Sequence, residues 1–210
     1  MKLLSVVLTG LLIVSCSKKN ELKAGAELTA KISERGLSVG AEAPQITSID
    51  VDGKMFELKK AVLDGPVVLV FYRGGWCPYC STQLRGLQSG ALPKITKAGG
   101  KLVAISVDKM ESALKTKEKE SLGMTILSDP KAEILKAYDV DYKVPDELAE
   151  AYMKKYKIDL EAHSGQDHHI IAVPAVYVID KNSKITFAYV NEDYKVRAQV
   201  DDILKAVAAL

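Results

Sequence analysis

Cysteine is scarce in this chain, with three residues in 210, and only two of them lie close together. A stabilising disulfide is a weak explanation for that close pair, because closing so short a loop removes little chain entropy. An excess of one charge is lacking too: 29 Lys and Arg stand against 27 Asp and Glu, for a net +2. The charges are interspersed, so there is no electrostatic footprint for nucleic acid, and the mixed-sign run Lys115 to Glu120 reads as a solvated helix face. No apolar run spans a bilayer comfortably, since the stretch Leu3 to Val14 is short and broken by Ser5, Thr9 and Gly10. Internal repeats, low-complexity tracts, a second C-x-x-C and an H-x₃-H pair are also missing. What remains is a chain 48% hydrophobic and 27% charged, enough for one well-buried domain with an extra segment at its N-terminus.

That segment has the form of an export signal, with Lys2 as the charged start and Leu3 to Val14 as the apolar core. The run Ile13-Val14-Ser15-Cys16 resembles a bacterial lipobox, which implies cleavage before Cys16 and a lipid on its sulfur. Acyl chains, at about 0.8 kcal/mol per buried CH₂, would hold the protein on a membrane without a transmembrane helix. Ser17 in place of Asp resembles the outer-membrane retention pattern, which points to the cell envelope with the domain facing the periplasm. Residues 1–15 are thus expected to be a signal, 16–36 a polar tether and 37–210 the folded domain. Lys18 and Lys19 lie near anionic headgroups or simply in a solvated tether. With Cys16 given to lipid, Cys77 and Cys80 are each other's only intramolecular partner.

The stretch from Phe71 to Cys80, FYRGGWCPYC, carries the chemistry. Val67 to Phe71 has the β-branched and aromatic content of a buried strand. Leu84, Leu87, Ala91 and Ile95 then recur at helical spacing, and Pro78 suits a first-turn position where its missing N–H costs nothing. Cys77 falls at the N-cap, where unpaired N–H groups and the helix dipole should bring its pKa below the free value of about 8.5. Cys80, one turn inside, can close a disulfide with it. Trp76 either packs against a substrate chain or covers the end of the core.

Elsewhere, Ile46 to Ile49 and Met55 to Leu58 flank Asp50-Val51-Asp52-Gly53, a hairpin signal. Strands are expected at 102–107, 124–127, 175–180 and 185–190, with helices near 110–120, from Ser128-Asp129-Pro130 to Tyr138, from Pro145 towards Tyr156, and from Val196 to Ala209. This alternation predicts an α/β fold, a central mixed sheet flanked by helices with an N-terminal β-hairpin extension.

With those motifs in order the chain resembles the thioredoxin-fold superfamily and, within it, the AhpC/TSA peroxiredoxin-like group. The matching pieces are Val39 to Pro44, Val68 to Cys80, Ser128-Asp129-Pro130, and Val173-Pro174 leading into Tyr177 to Asp180, and they extend the match over roughly residues 37 to 209. Typical members carry Pro-x-x-x-Thr-x-x-Cys and a later Arg that polarises peroxide. Aligned on Phe71-Tyr72, the resemblance puts Cys80 at the peroxidatic position, with Arg73 replacing the Pro, Cys77 the Thr and Pro174 the Arg. Losing such donors weakens peroxide cleavage, each being worth about 10²-fold or more. Arg73 either lowers a thiolate pKa and hydrogen-bonds peroxide or forms a structural ion pair.

Pro174 instead resembles the cis-Pro facing the dithiol of thioredoxins, and Pro78-Tyr79 is the dipeptide of glutaredoxins, which suggests a potential of about −200 mV. The resemblance therefore implies a thiol-disulfide oxidoreductase in which an exposed Cys77 attacks and Cys80 resolves, without a cofactor, working with a thioredoxin-like donor or disulfide-bearing proteins. The alternative is a thiol peroxidase acting on hydroperoxides, with a Cys80 sulfenate resolved by Cys77. A third reading is a copper or zinc module built from Cys77, Cys80 and a histidine from His163, His168 or His169.

Overall fold

The computed structural model describes residues 34–210. The expected signal, the expected lipidation site Cys16 and the expected tether up to residue 33 lie outside the described residues.

Five consecutive apolar residues, Val67–Phe71, form the buried strand β3, and its near-continuous hydrophobicity follows from being covered on both faces. Before it, β1 (Thr47–Ile49) and β2 (Met55–Glu57) pair as the expected hairpin, and helix α1 (Leu58–Asp64) follows. Gly53 supplies the positive φ of the turn at +80°, and the Asp50 carboxylate accepts the N–H groups of Asp52 at 2.9 Å and Lys54 at 2.8 Å.

β3 pairs in parallel with β4 (Lys101–Ser106) and antiparallel with β8 (Ala175–Ile179). β4 continues in parallel to β5 (Thr125–Ser128), and β8 turns back antiparallel onto β9 (Ile185–Val190), which gives the strand order β5-β4-β3-β8-β9. The result is a mixed five-stranded sheet of thioredoxin-like type. Along β3 the pleat divides two cores. Val67, Leu69 and Phe71 face Leu135, Tyr138 and Tyr177, while Val68, Val70 and Tyr72 face Cys77, Cys80, Leu84 and Ile203.

The single helix expected from Pro78 to Ile95 is two: α2 (Pro78–Gly90) and α3 (Leu92–Lys97). Pro93 is the reason, since it has no N–H for the helical ladder and its ring would strike the carbonyl one turn back. Leu84, Leu87, Ala91 and Ile95 still point inward. Helix α4 (Met110–Lys119) stands where expected. Asp129 caps the next helix, α5 (Glu133–Ala137), by accepting the N–H groups of Glu133 and Leu135, both at 2.9 Å.

A short antiparallel pair, β6 (Asp141–Lys143) and β7 (Ile170–Ala172), was not anticipated. Between them run α6 (Asp146–Ala151), a π-helical turn over Tyr152–Tyr156, and α7 (Leu160–Ser164). The final helix, α8 (Val200–Ala208), begins four residues later than expected. Residues 191–199 form a loop instead, turned by Asn191 and Asp193, whose side chains accept the N–H groups of Asp193 at 2.9 Å and Lys195 at 3.0 Å.

Candidate active site

The end of β3 and the start of α2 place the dithiol. Cys77 is the N-cap of α2, with Pro78 in the first turn, as its sequence position requires. Its N–H donates to the Gly74 carbonyl at 3.1 Å, and its carbonyl accepts from Cys80 N–H at 3.0 Å and Ser81 N–H at 3.1 Å. The two glycines before it are there for room. Gly74 has φ +147°, and a Cβ on it would meet the Trp76 indole; a Cβ on Gly75 would run into Thr116 Oγ1.

Cys77 and Cys80 are both free thiols. The Cys77 thiol is lowered to about 6, first because the Cys80 thiol donates to its sulfur, then through the Cys80 backbone N–H and the charges of Arg73 and Arg197, all against the opposing effect of burial. Cys80 is pushed well up by that same hydrogen bond, by burial and by the Cys77 charge. The pair therefore loses its protons in two separated steps, and the first leaves a thiolate stabilised by its neighbour's S–H.

Cys77 is not exposed at the helix start, as the sequence suggested; only 1% of it is accessible. The 191–199 loop folds back towards this end of the helix. Tyr194 meets Tyr79 edge-on at 5.6 Å and lies under the Arg73 guanidinium at 4.2 Å, and Arg197 Nη2 reaches Cys80 Sγ at 3.6 Å.

Arg73 is 6% exposed and sits among aromatic rings, over Trp76 at 5.0 Å and Tyr152 at 5.8 Å, with Nη2 donating to Tyr152 Oη at 2.7 Å. The Trp76 ring packs on Tyr152 at 6.0 Å and is half-buried over the core. Pro174 departs from the expected form, since the Val173–Pro174 peptide is trans. The backbone there is already engaged: Val173 N–H donates to Val140 O at 2.7 Å, and Pro174 O accepts Asn191 N–H at 3.2 Å. It is thus not presented for substrate pairing. Pro174 does share with Arg73, Tyr152, Ile171 and Tyr194 the wall of a cavity of about 370 Å³.

The three histidines do not join the dithiol. His168 Nδ1 accepts Ile170 N–H at 2.8 Å, which leaves Nε2 to donate to Pro130 O at 2.7 Å. His169 bridges Asp146 Oδ1 at 3.1 Å and Glu161 Oε1 at 2.9 Å. His163 lies 3.9 Å from Asp108 Oδ1. Among the described residues no group of three or more His, Cys, Asp or Glu converges as a ligand set. With two of the imidazoles committed to other partners, the metal-module reading loses its geometry.

Sequence reasoning missed Arg197, Tyr194 and Asp108. Arg197 and Tyr194 belong to a loop without hydrophobic periodicity, and the only local signal was the Asn191 and Asp193 turn chemistry. Asp108 follows a strand directly and looks like an ordinary strand-end polar residue until its burial, with a side chain 1% exposed, is seen.

A thioredoxin-like sheet whose central strand leads into a helix carrying two free thiols, one at its N-cap and one a turn inside, defines a thiol-based oxidoreductase. More particularly, the chain belongs to the AhpC/TSA family, whose profile matches residues 39–188. It is 29% identical over 185 residues to the chloroplastic peroxiredoxin Q of Suaeda salsa, covering 88% of this chain and 72% of that protein. It is also 25% identical over 174 residues to the thiol-disulfide oxidoreductase ResA of Bacillus thuringiensis, covering 83% and 81%. In fold it resembles the peroxidoxin BcpB of Mycobacterium tuberculosis, with a TM-score of 0.63 at 20% identity over 82% of this chain and 97% of that one.

Proposed function

We propose that this chain is a thiol-disulfide oxidoreductase of the cell envelope that cycles Cys77 and Cys80 between dithiol and disulfide. The observation that carries this reading is the placement of two free thiols, Cys77 at the N-cap of α2 and Cys80 one turn inside, which favours the thiolate on the first and the thiol on the second. The Cys77 thiolate attacks a substrate disulfide and expels one substrate sulfur as thiolate. Cys80, once deprotonated, attacks Cys77 Sγ, closes the Cys77–Cys80 bond and releases the second substrate thiolate. A thioredoxin-like dithiol donor restores the reduced pair by the same exchange. If the reading holds, Cys80→Ser accumulates mixed disulfides with protein partners and Cys77→Ser does not. The reverse pattern, with a dimedone-reactive sulfenate on Cys80 in Cys77→Ser after low peroxide, overturns it.

A second reading, thiol peroxidase, is favoured by the contact between Arg197 and Cys80 Sγ. Here the Cys80 thiolate takes one peroxide oxygen and a proton completes the leaving alcohol or water; the sulfenate then condenses with Cys77 to a disulfide and water. Peroxide turnover with a thioredoxin system, measured beside protein disulfide reduction, separates the two.

The envelope assignment is supported by the lipobox-like Ile13-Val14-Ser15-Cys16, and among the described residues no helix is long and apolar enough to cross a membrane. Radiolabelled palmitate incorporated by the full chain and lost in Cys16→Ala tests it; equal labelling of both refutes a lipid at Cys16.

A further inference from the structure

The cavity beside Arg73 is not used by the chemistry above. At about 370 Å³ it has room for an amino-acid side chain and part of its backbone. Its wall is drawn from Arg35 before β1, Arg73 after β3, the stretch from Tyr142 to Pro174, and the 191–199 loop. A buried guanidinium needs something to match its charge. Arg73 is 6% exposed, yet among the described residues no carboxylate pairs with it, so the structural ion pair that its sequence position allowed is not made. Nη2 donates to Tyr152 Oη at 2.7 Å, whereas Nε and Nη1 make no hydrogen bond among the described residues, and neither is sealed in the core. The rings of Trp76, Tyr152 and Tyr194 offset part of the charge, but a π face does not replace an acceptor in the guanidinium plane.

Arg35 stands on the same wall, with its Nη1 donating to Asp141 O. Against these two guanidiniums the wall sets one carboxylate, Glu192, so positive charge is in excess. Tyr142 and Tyr152 supply aromatic surface around it. A carboxylate on a short apolar stem meets both features, because a planar guanidinium matches a carboxylate with paired N–H donors. The cavity is tied to the dithiol through Arg73 itself: the side chain lines the cavity, and the backbone N–H bonds to the Cys80 sulfur. Tyr194 makes a second tie, since it lies on the cavity wall and packs on Tyr79, which stands between the two cysteines in sequence.

We propose that this cavity is a specificity subsite that receives an acidic side chain next to the cystine of a peptide substrate, with Arg73 binding its carboxylate and Arg35 adding charge from the same wall. The inference rests on the reading in which Cys77 attacks a substrate disulfide. Arg73 then has a task besides its charge on Cys77: it holds the residue beside the cystine in the cavity while the disulfide itself lies at Cys77. A guanidinium that served only to favour the thiolate would speed attack on every disulfide alike. One that binds substrate discriminates between them.

The test uses the reduced full chain and two symmetrical peptide disulfides, alike except for Glu or Gln next to the half-cystine. Quenched-flow release of the first peptide thiol gives the rate constant for attack, measured at about pH 8, above the Cys77 midpoint with either arginine present or removed. The wild-type protein should react with the Glu peptide about tenfold faster, the worth of one charge-assisted contact. Arg73→Gln should bring the ratio of the two rates close to one. Because the ratio compares two substrates at the same thiolate, any change in the reactivity of Cys77 cancels. Arg35→Gln should lower the ratio as well, and it replaces Arg73→Gln if that variant does not fold. Arg197→Gln removes a charge near the thiols but not from the cavity, and should keep the ratio. A wild-type ratio near one overturns the subsite. So does a ratio that survives Arg73→Gln, or Arg35→Gln in its place, and so does an equal fall in Arg197→Gln, which marks a general electrostatic field. If the wild-type protein releases thiol from neither peptide, or release persists in Cys77→Ser, the proposed function fails rather than the subsite.

Discussion

Arg197 Nη2 lies 3.6 Å from the Cys80 sulfur, joining two residues 117 positions apart in the chain. The contact brings a fixed positive charge to the inner cysteine from a loop, where the sequence offered only Arg73. Both guanidiniums favour the thiolate, one from the aromatic cage beside Trp76 and one from the 191–199 loop.

Removing either charge should raise the first thiolate midpoint of the pair from about 6, because Arg73 and Arg197 both lower Cys77. Arg197→Gln and Arg73→Gln are each expected to move it up by about 1 pH unit. Ultraviolet thiolate absorbance followed through a pH titration checks this, and an unmoved midpoint in both variants would remove the electrostatic account.

The leading cause of the low Cys77 value is donation by the Cys80 thiol, so the residue at position 80 should matter through its ability to donate. Cys80→Ala should titrate higher than Cys80→Ser, whose hydroxyl still donates. Iodoacetamide alkylation rates of the two variants across pH give the comparison, and identical midpoints contradict it.

Asp108 sets a pH dependence of stability with a definite sign. Its folded value of about 6 lies above the ordinary 3.8, so between the two the folded state holds a proton that the unfolded state has lost. Stability therefore falls as pH rises through that window and stays lower above it, by an amount on the order of 3 kcal/mol. Asp108→Asn removes the penalty. Urea unfolding should show the variant gaining on the wild-type protein between about pH 4 and pH 6 and holding the gain at higher pH.

Gly75→Ala should cost about 1–3 kcal/mol, since its Cβ would overlap Thr116 Oγ1. Thr116→Ala opens the space, so the double variant should recover most of the loss. A double-mutant cycle by thermal unfolding measures the coupling, and strict additivity would show that the two residues do not compete for room.

Tyr194 packs on Tyr79 and Arg73, which flank the dithiol in sequence, so Tyr194→Ala should loosen this end of the helix and expose Cys77. Alkylation of the reduced protein should speed up by about tenfold, while overall stability falls by only a kcal/mol or so, about the worth of an aromatic pair.

The central strand, the hairpin and the position of Cys77 at the start of α2 were legible because each rests on local chemistry: a buried apolar run, an Asp-Gly turn, a Pro in the first helical turn. Pro93, which divides the helix, was equally visible but outweighed by the apolar spacing through Ile95. β6 and β7 were not legible, because each is three residues long and the first, Asp-Tyr-Lys, has no apolar alternation. The contacts of Tyr194 with Tyr79 and Arg73, and of Arg197 with Cys80, come from far along the chain, and no window of sequence around the motif contains them. Pro174 was expected to face the dithiol as a cis-Pro; it lines a cavity with Arg73 through a trans peptide, with Val173 N–H and Pro174 O bonded to Val140 and Asn191, partners far off in the sequence.

β3 is hydrogen-bonded along both edges and runs straight into the motif, ending one residue before Tyr72. Native-state hydrogen exchange of its amides should therefore proceed only by global opening, while those of the 191–199 loop exchange through local fluctuations. The slowest-exchanging part of the backbone then lies within a few residues of the most reactive sulfurs. Redox turnover would take place on an anchored base, with the mobility needed to admit a substrate supplied by the segment that covers it.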